Sequence, residues 1–171
     1  MHAELDRVLG GRAPTPADVP KLVYTRQVID ESMRLYPPIP VLMRHAVADD
    51  VVCGRHVPAK SLIAIMPYVV HHHRKLWPDP ERFDPDRFTP ENIRSRSRYS
   101  YIPFSVGPRA CVGLSLAMLE LVLIIATMAQ RFRFHLVPGH KIEPVGWVTL
   151  RPHRGVRVTV EQRSEARAAA G

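Results

Sequence analysis

The chain has 171 residues, 46% of them hydrophobic and 23% charged, which excludes a wholly disordered, collagen-like or coiled-coil protein. Twenty-four Lys and Arg against 16 Asp and Glu give a formal charge of +8, a surplus that favours acidic partners. Seventeen prolines against nine glycines point to rigid turns between short elements.

In chain order, the N-terminal MHAELDRVLGG is charged and lacks the apolar core of a signal peptide. It reads as a short helical segment ended by Gly10-Gly11. Thr15-Pro16-Ala17-Asp18 is a helix-start signal, with a capping hydroxyl, a first-turn proline and an acid at the capping-box position. A second helix is predicted from about Leu22 to Leu35, stopped by Pro37-Pro38. Between Val41 and Val70, apolar runs broken by DD, CGR and PAK predict two or three strands.

Trp77 to Phe88, WPDPERFDPDRF, holds too many prolines for regular structure and reads as an ordered meander. A basic loop with Arg94, Arg96 and Arg98 follows. A long helix is predicted from about Cys111 to Gln130, with residues 114, 118, 121, 125 and 128 as its buried stripe. The apolar run Leu114 to Ala129 is short for a membrane span and carries Glu120, so the expectation is a soluble, cytoplasmic chain. Phe132, Phe134 and Leu136 alternate as a strand does, and so do Val156, Val158 and Val160. The pattern is mainly α with small β-sheets (α+β), over residues 1–162, with a flexible tail at 163–171.

Two places break the pattern. Tyr24, Val28, Glu31 and Leu35 form one helical stripe, which sets a carboxylate among core-facing residues. Arg34 lies three residues on and can pair with it, but spacing alone does not separate a buried pair from an exposed i,i+3 pair. Arg82 and Arg87 are candidate third members. The second place is PFSVGPRACVG, residues 103–113. There Gly107 and Gly113 permit tight turns, Arg109 adds charge, and Cys111 falls where the long helix is predicted to begin. The residues alone leave open a buried structural cysteine and a stabilised thiolate. A thiolate would serve as a nucleophile or as a ligand for a soft or haem metal. A phosphatase-type Cys-x5-Arg loop is excluded, because Ala117 stands where the arginine would be.

Residues 104–113 fit Phe-x-x-Gly-x-Arg-x-Cys-x-Gly at every fixed position. Glu31-Ser32-Met33-Arg34 fits Glu-x-x-Arg, and Pro85-Asp86-Arg87-Phe88 is a Pro-Glu-Arg-Phe element with Asp for Glu. With these three motifs in order, the chain resembles the cytochrome P-450 family of haem-thiolate monooxygenases over roughly residues 4–160. The resemblance implies the C-terminal part of that fold, without the N-terminal half and the central oxygen-binding helix. It implies haem b (iron protoporphyrin IX), with Cys111 as the axial thiolate and Phe104, Gly107 and Gly113 shaping the loop around it. Arg109 and Arg44 would reach haem propionates. Glu31, Arg34 and Arg87 would form a structural charge triad. Pro38, Ile39 and Leu42 would line a pocket for a hydrophobic small-molecule substrate, with Gly146, Trp147 and Val148 as a second candidate loop. An electron-transfer protein, a ferredoxin or flavoprotein reductase, would dock on a basic face carrying Arg94, Arg96, Arg98, Arg109 and Arg131.

Two other classes compete. One is a truncated remnant that binds haem or a partner protein without catalysis. The other is a metal module using Cys53, His56 and His71-His72-His73. Cys53-x-x-His56 is half of a zinc pattern, three adjacent histidines in regular structure cannot all face one ion, and the expectation is that they lie on the surface at a strand end. Nucleic-acid binding is not expected, since no recognition motif accompanies the charge. A chain with so much apolar surface is expected to self-associate when expressed alone.

Overall fold

In a computed structural model of the chain, residues 1–146 and 148–163 are described. Trp147 and the part of the expected tail from 164 to 171 lie outside them. The organising element is the longest helix, α5 (Leu114–Arg131), an 18-residue segment without Gly or Pro in its interior. It packs against α1 (His2–Leu9) and α2 (Val23–Leu35). Leu5, Leu9, Leu22, Ile29, Met33, Met118, Val122, Ala126 and Ala129 make one buried cluster at this junction.

The buried face of α5 is therefore 118, 122, 126 and 129, rotated from the predicted 114–118–121–125–128 stripe. Leu114 and Met128 are exposed. The reason is that α5 is apolar nearly all round, so periodicity does not select a face. Packing against α1 and α2 decides it, with small Ala126 and Ala129 among the buried residues. By length and composition α5 also passes as a candidate membrane span, although its inner face belongs to this core. With Gly113 as its N-cap, the helix begins at Leu114, three residues later than predicted.

Around this junction the chain adds short elements. Gly10 ends α1 in the left-handed region at φ 57°, where glycine is least strained. The capping box at Thr15 is present: Asp18 accepts from the Thr15 N–H at 2.9 Å and from its hydroxyl at 2.8 Å, and opens a 3₁₀ turn, Pro16–Lys21. The Arg12 guanidinium and Thr15 hold the Asp18 carboxyl well below the usual carboxylate range.

Between Val41 and Val70 there are four strands, not two or three. β1 (Leu42–His45) pairs antiparallel with β4 (Leu62–Ile65), and β2 (Asp50–Val52) with β3 (Arg55–Val57). Residues beyond Met66 leave the sheet altogether. Pro67 sits at a helix N-terminus, and α3 (Pro67–His71) follows, because a proline there stops the ladder and pre-sets helical φ.

The meander holds a 3₁₀ turn at Pro85–Phe88, capped by Asp84, and α4 (Pro90–Ser95). The C-terminal part has two antiparallel pairs. β5 (Phe132–Leu136) pairs with β8 (Val158–Gln162), and β6 (Pro144–Gly146) with β7 (Leu150–Pro152). Val156 lies just before β8 rather than in it. Helices form the junction, and the strands among the described residues pair into four two-stranded sheets.

Candidate functional site

Glu31 and Arg34 leave no ambiguity about burial, because both side chains have zero exposure. Being one helical turn apart on α2, they meet side by side. Arg34 Nε donates to Glu31 Oε2 at 2.7 Å and Nη2 to Oε1 at 2.9 Å, the bidentate fork that suits a carboxylate. Glu31 Oε1 also accepts the Asp84 N–H at 2.8 Å. Arg34 Nη1 donates to the His71 carbonyl at 2.8 Å, and Nη2 to the Arg82 carbonyl at 3.2 Å. The pair thus clamps α2 to α3 and to the meander.

Of the two candidate third members, Arg87 is the one beside the carboxylate. Its Nε lies 3.5 Å from Glu31 Oε1 as an ion pair without hydrogen-bond geometry, and Nη2 donates to the Asp79 carbonyl at 2.8 Å. Arg82 contributes only its backbone.

Arg96 departs from its expected place on a docking surface. It is tucked over Trp77 at 4.7 Å and Phe88 at 4.5 Å, and it donates to the Arg87 carbonyl. Burial pushes its guanidinium pKa down. Trp77 is 2% exposed and donates to the Ser100 carbonyl at 3.3 Å. Tyr101 donates to Asp30, whose carboxyl is raised by burial. Sequence reading missed this aromatic group, since its members lie 5 to 24 residues apart with no period.

The histidine run is also not a surface strand end. His71 is fully buried as the last residue of α3, His72 stacks on Tyr68 at 4.3 Å, and only His73 is exposed. Burial holds His71 down at a pKa of about 4.

Cys111 lies before α5, not in its first turn. Its N–H donates to the Phe104 carbonyl at 2.9 Å, and its carbonyl accepts the Leu114 N–H at 3.3 Å. The loop between is closed tightly: Ser105 has φ 63° and Gly107 φ 69°. A Cβ at Gly107 would meet no atom within 4 Å, so its need for glycine is conformational and not steric. A Cβ at Gly113 would lie 3.8 Å from Cys111 Sγ, an ordinary contact. Cys111 is a free, exposed thiol, with exposed Val106, Val112 and Leu114 nearby in sequence and Phe104 packed on the core behind it. Cys111 is therefore not buried among the described residues.

Arg109 is exposed and makes no hydrogen bond or ion pair among the described residues. Arg44, half-buried on β1, spends only Nη1 on the neighbouring Met43 carbonyl. Arg94 is exposed beside Glu91, Arg98 stacks on Tyr99, and Arg131 is exposed at the end of α5. On another side, the Leu150 N–H donates to the Pro38 carbonyl at 2.9 Å, and a Cβ on Gly146 would meet Pro40 at 3.6 Å. The Pro38–Leu42 turn and the β6–β7 hairpin, the two candidate pocket segments, are therefore neighbours. Trp147 of that hairpin lies outside the described residues.

A free, exposed thiol on a loop with apolar side chains and Arg109 nearby in sequence fits the thiolate side of a haem site. The cytochrome P-450 family model matches residues 1–156. This chain belongs to the cytochrome P-450 family. It is 45% identical over 144 residues to cyclooctatin synthase of Streptomyces melanosporofaciens, covering 84% of this chain and 31% of that protein. It is also 45% identical to cyclooctat-9-en-7-ol 5-monooxygenase of the same organism, over 81% of this chain and 30% of the relative. Among solved structures, the crystal structure of the cytochrome P450DA heme domain superposes with a TM-score of 0.88 at 30% identity, over 96% of this chain and 37% of that one. The chain spans about a third of the length of these relatives, so the fold seen here is a partial cytochrome P-450 fold.

Proposed function

We propose that the chain supplies the thiolate side of a haem-thiolate monooxygenase, with Cys111 as the axial ligand of haem b. The observation that carries this is the placement of Cys111: an exposed thiol on a loop closed by its own N–H on the Phe104 carbonyl. When bound, haem would supply oxygen activation, and thiolate donation to its iron favours O–O cleavage.

The chain's own residues do the holding. Phe104 limits water behind the sulfur, Gly107 allows the left-handed turn of the loop, and Gly113 caps the helix just after the cysteine. Arg109 and Arg44 have guanidinium donors free for the propionates. Glu31, Arg34 and Arg87 keep the meander against α2, and so hold the ligand loop in place from below. The Pro38, Ile39 and Leu42 turn faces a hydrophobic substrate, to be hydroxylated in the complete enzyme. Exposed Arg94, Arg98, Arg109 and Arg131 offer an acidic electron-transfer protein its contacts; Arg96 is withdrawn from that set by its aromatic stack.

The test is a reduced carbon-monoxide difference spectrum of the chain after addition of haemin, beside Cys111→Ala. A red-shifted Soret band that disappears in the variant is the expected result. Absence of the band, or a band indifferent to the substitution, removes the thiolate reading and leaves a non-catalytic role.

A further inference from the structure

We propose that His71 is a positioning residue for the Cys111 loop, linking the Glu31–Arg34 pair to that loop through both its backbone and its ring. The inference rests on the reading of Cys111 as the presented ligand, but its geometry is that of the chain alone. Arg34 Nη1 holds the His71 carbonyl at 2.8 Å, fixing the end of α3. From there the ring reaches across, and Nε2 accepts the Ile102 N–H at 2.9 Å. The Ile102 carbonyl in turn accepts the Ser105 N–H at 3.1 Å, where the chain enters its left-handed turn. The turn closes with the Cys111 N–H on the Phe104 carbonyl. Hydrogen bonds therefore run from the buried carboxylate of Glu31 to Ile102, and short covalent steps and turn bonds carry the constraint on to the sulfur.

A histidine held only for packing does not explain these contacts. The ring is fully buried against Tyr101, at 5.4 Å between centroids. Because Nε2 accepts, the ring proton is on Nδ1, and that atom makes no well-formed hydrogen bond, although the Met33 and Arg34 backbone lies close to the ring. An apolar residue would fill the space without stranding a donor, whereas the Ile102 N–H would then lose its acceptor. The groups facing the ring are His72 just after the helix, the Arg34 side chain with the Met33 and Arg34 backbone from α2, and Tyr101 from the loop. Burial, with charge from His72 and Arg34 behind it, keeps the imidazole neutral down to about pH 4, so at neutral pH the acceptor is always present.

The experiment is amide hydrogen exchange on the haem-free full chain, comparing wild type, His71→Leu and His71→Gln. Leucine fills volume without an acceptor; glutamine presents an acceptor at similar reach that does not titrate. With the bond gone, the Leu chain is expected to exchange about tenfold faster at Ile102, Ser105 and Cys111, while Val122 and Ala126 in the α5 core hold their rates. The Gln chain is expected to return those three amides to within about threefold of wild type. Equal behaviour of Leu and Gln, a rise spread evenly into α5, or no change overturns the inference. If the Leu chain does not fold, wild type and Gln are compared as pH falls through 4, with rates corrected for intrinsic exchange. Wild type is expected to open selectively at 102–111 and Gln to stay closed; parallel profiles overturn the inference. Haem is absent throughout, so a failed carbon-monoxide spectrum and a failed coupling are separate results.

Discussion

Replacing Glu31 with glutamine keeps the shape of the side chain and removes its charge, in a place where charge is fully desolvated. Oε1 carries two hydrogen bonds, from Arg34 Nη2 and the Asp84 N–H, with Arg87 Nε also beside it, while Oε2 carries the Arg34 Nε bond. Whichever oxygen becomes the amide nitrogen, its hydrogens meet an Arg34 donor, so at least one bond turns into a donor–donor contact. The larger effect is on Arg34, left as a cation with zero exposure and no counter-charge in its fork. Breaking a buried pair from one side costs roughly 3–5 kcal/mol. Against a typical domain stability of about 5–15 kcal/mol, that is a large share.

The assay is urea unfolding followed by Trp77 fluorescence in a Trp147→Phe background. Trp77 reports on this cluster directly, since Arg34 lies 5.2 Å over its ring. The midpoint is expected to fall with little change in slope. A double variant, Glu31→Leu with Arg34→Met, is expected to cost less than the sum of its single changes, because neither charge is then stranded. It is still expected to cost something, as the His71 and Arg82 carbonyls and the Asp84 N–H lose partners. A loss below about 1 kcal/mol for Glu31→Gln would refute the reasoning, since that is the size of a solvated helix-surface pair.

Stability is expected to depend on pH through His71, whose folded pKa of about 4 lies below the ordinary 6.5. Above 6.5 the ring is neutral in both states; below it the unfolded chain binds the proton first, so up to about 3 kcal/mol is lost on going down to pH 4. Urea midpoints at pH 7 and pH 4.5 check this, and His71→Gln should show a shallower fall; an identical fall in both chains would assign the effect elsewhere. Gly107→Ala is expected to cost about 1–2 kcal/mol from its φ of 69° alone, with no clash to relieve, and Gly107→Asn less, both read from thermal midpoints. Arg96→Ala is expected to lower stability by about 1–2 kcal/mol through loss of its aromatic stack, while Arg94→Ala changes it by less than about 0.5 kcal/mol. Equal effects of the two would place Arg96 on the surface after all.

What the sequence made legible follows from how local each signal is. α2 and the Thr15 capping box were readable because the period, the cap and the stopping prolines lie within one segment. The family followed from three motifs, each of them contiguous. The inward face of α5 was not readable, because Leu, Ile, Val and Met surround the helix and the choice is made by what α1 and α2 present. Arg94, Arg96 and Arg98 look alike as an alternating run. Only the fold distinguishes Arg96, by bringing Trp77 and Phe88 to it from 19 and 8 residues away. His71 carries a usable clue in the sequence: Pro67 as a helix start makes His71 the end of a turn rather than of a strand.

The placement of Cys111 alters what prepares it. A cysteine in the first turn of α5 would owe its character to the helix N-terminus, and its geometry would be guaranteed by the helix itself. Cys111 instead precedes the Gly113 N-cap, on a loop with two left-handed residues and an exposed neighbour on each side. Such a loop does not hold its own shape; left-handed backbone persists where surrounding contacts over-determine it. Those contacts are the Ile102 bond to His71, the Trp77 bond to Ser100 and the core packing of Phe104, and the first leads back to Arg34. The Glu-x-x-Arg helix and the cysteine loop, 80 residues apart, are thus one mechanical unit. On the proposed role of His71, the buried charge of Glu31 and Arg34 would serve the sulfur by fixing the backbone on which it is carried.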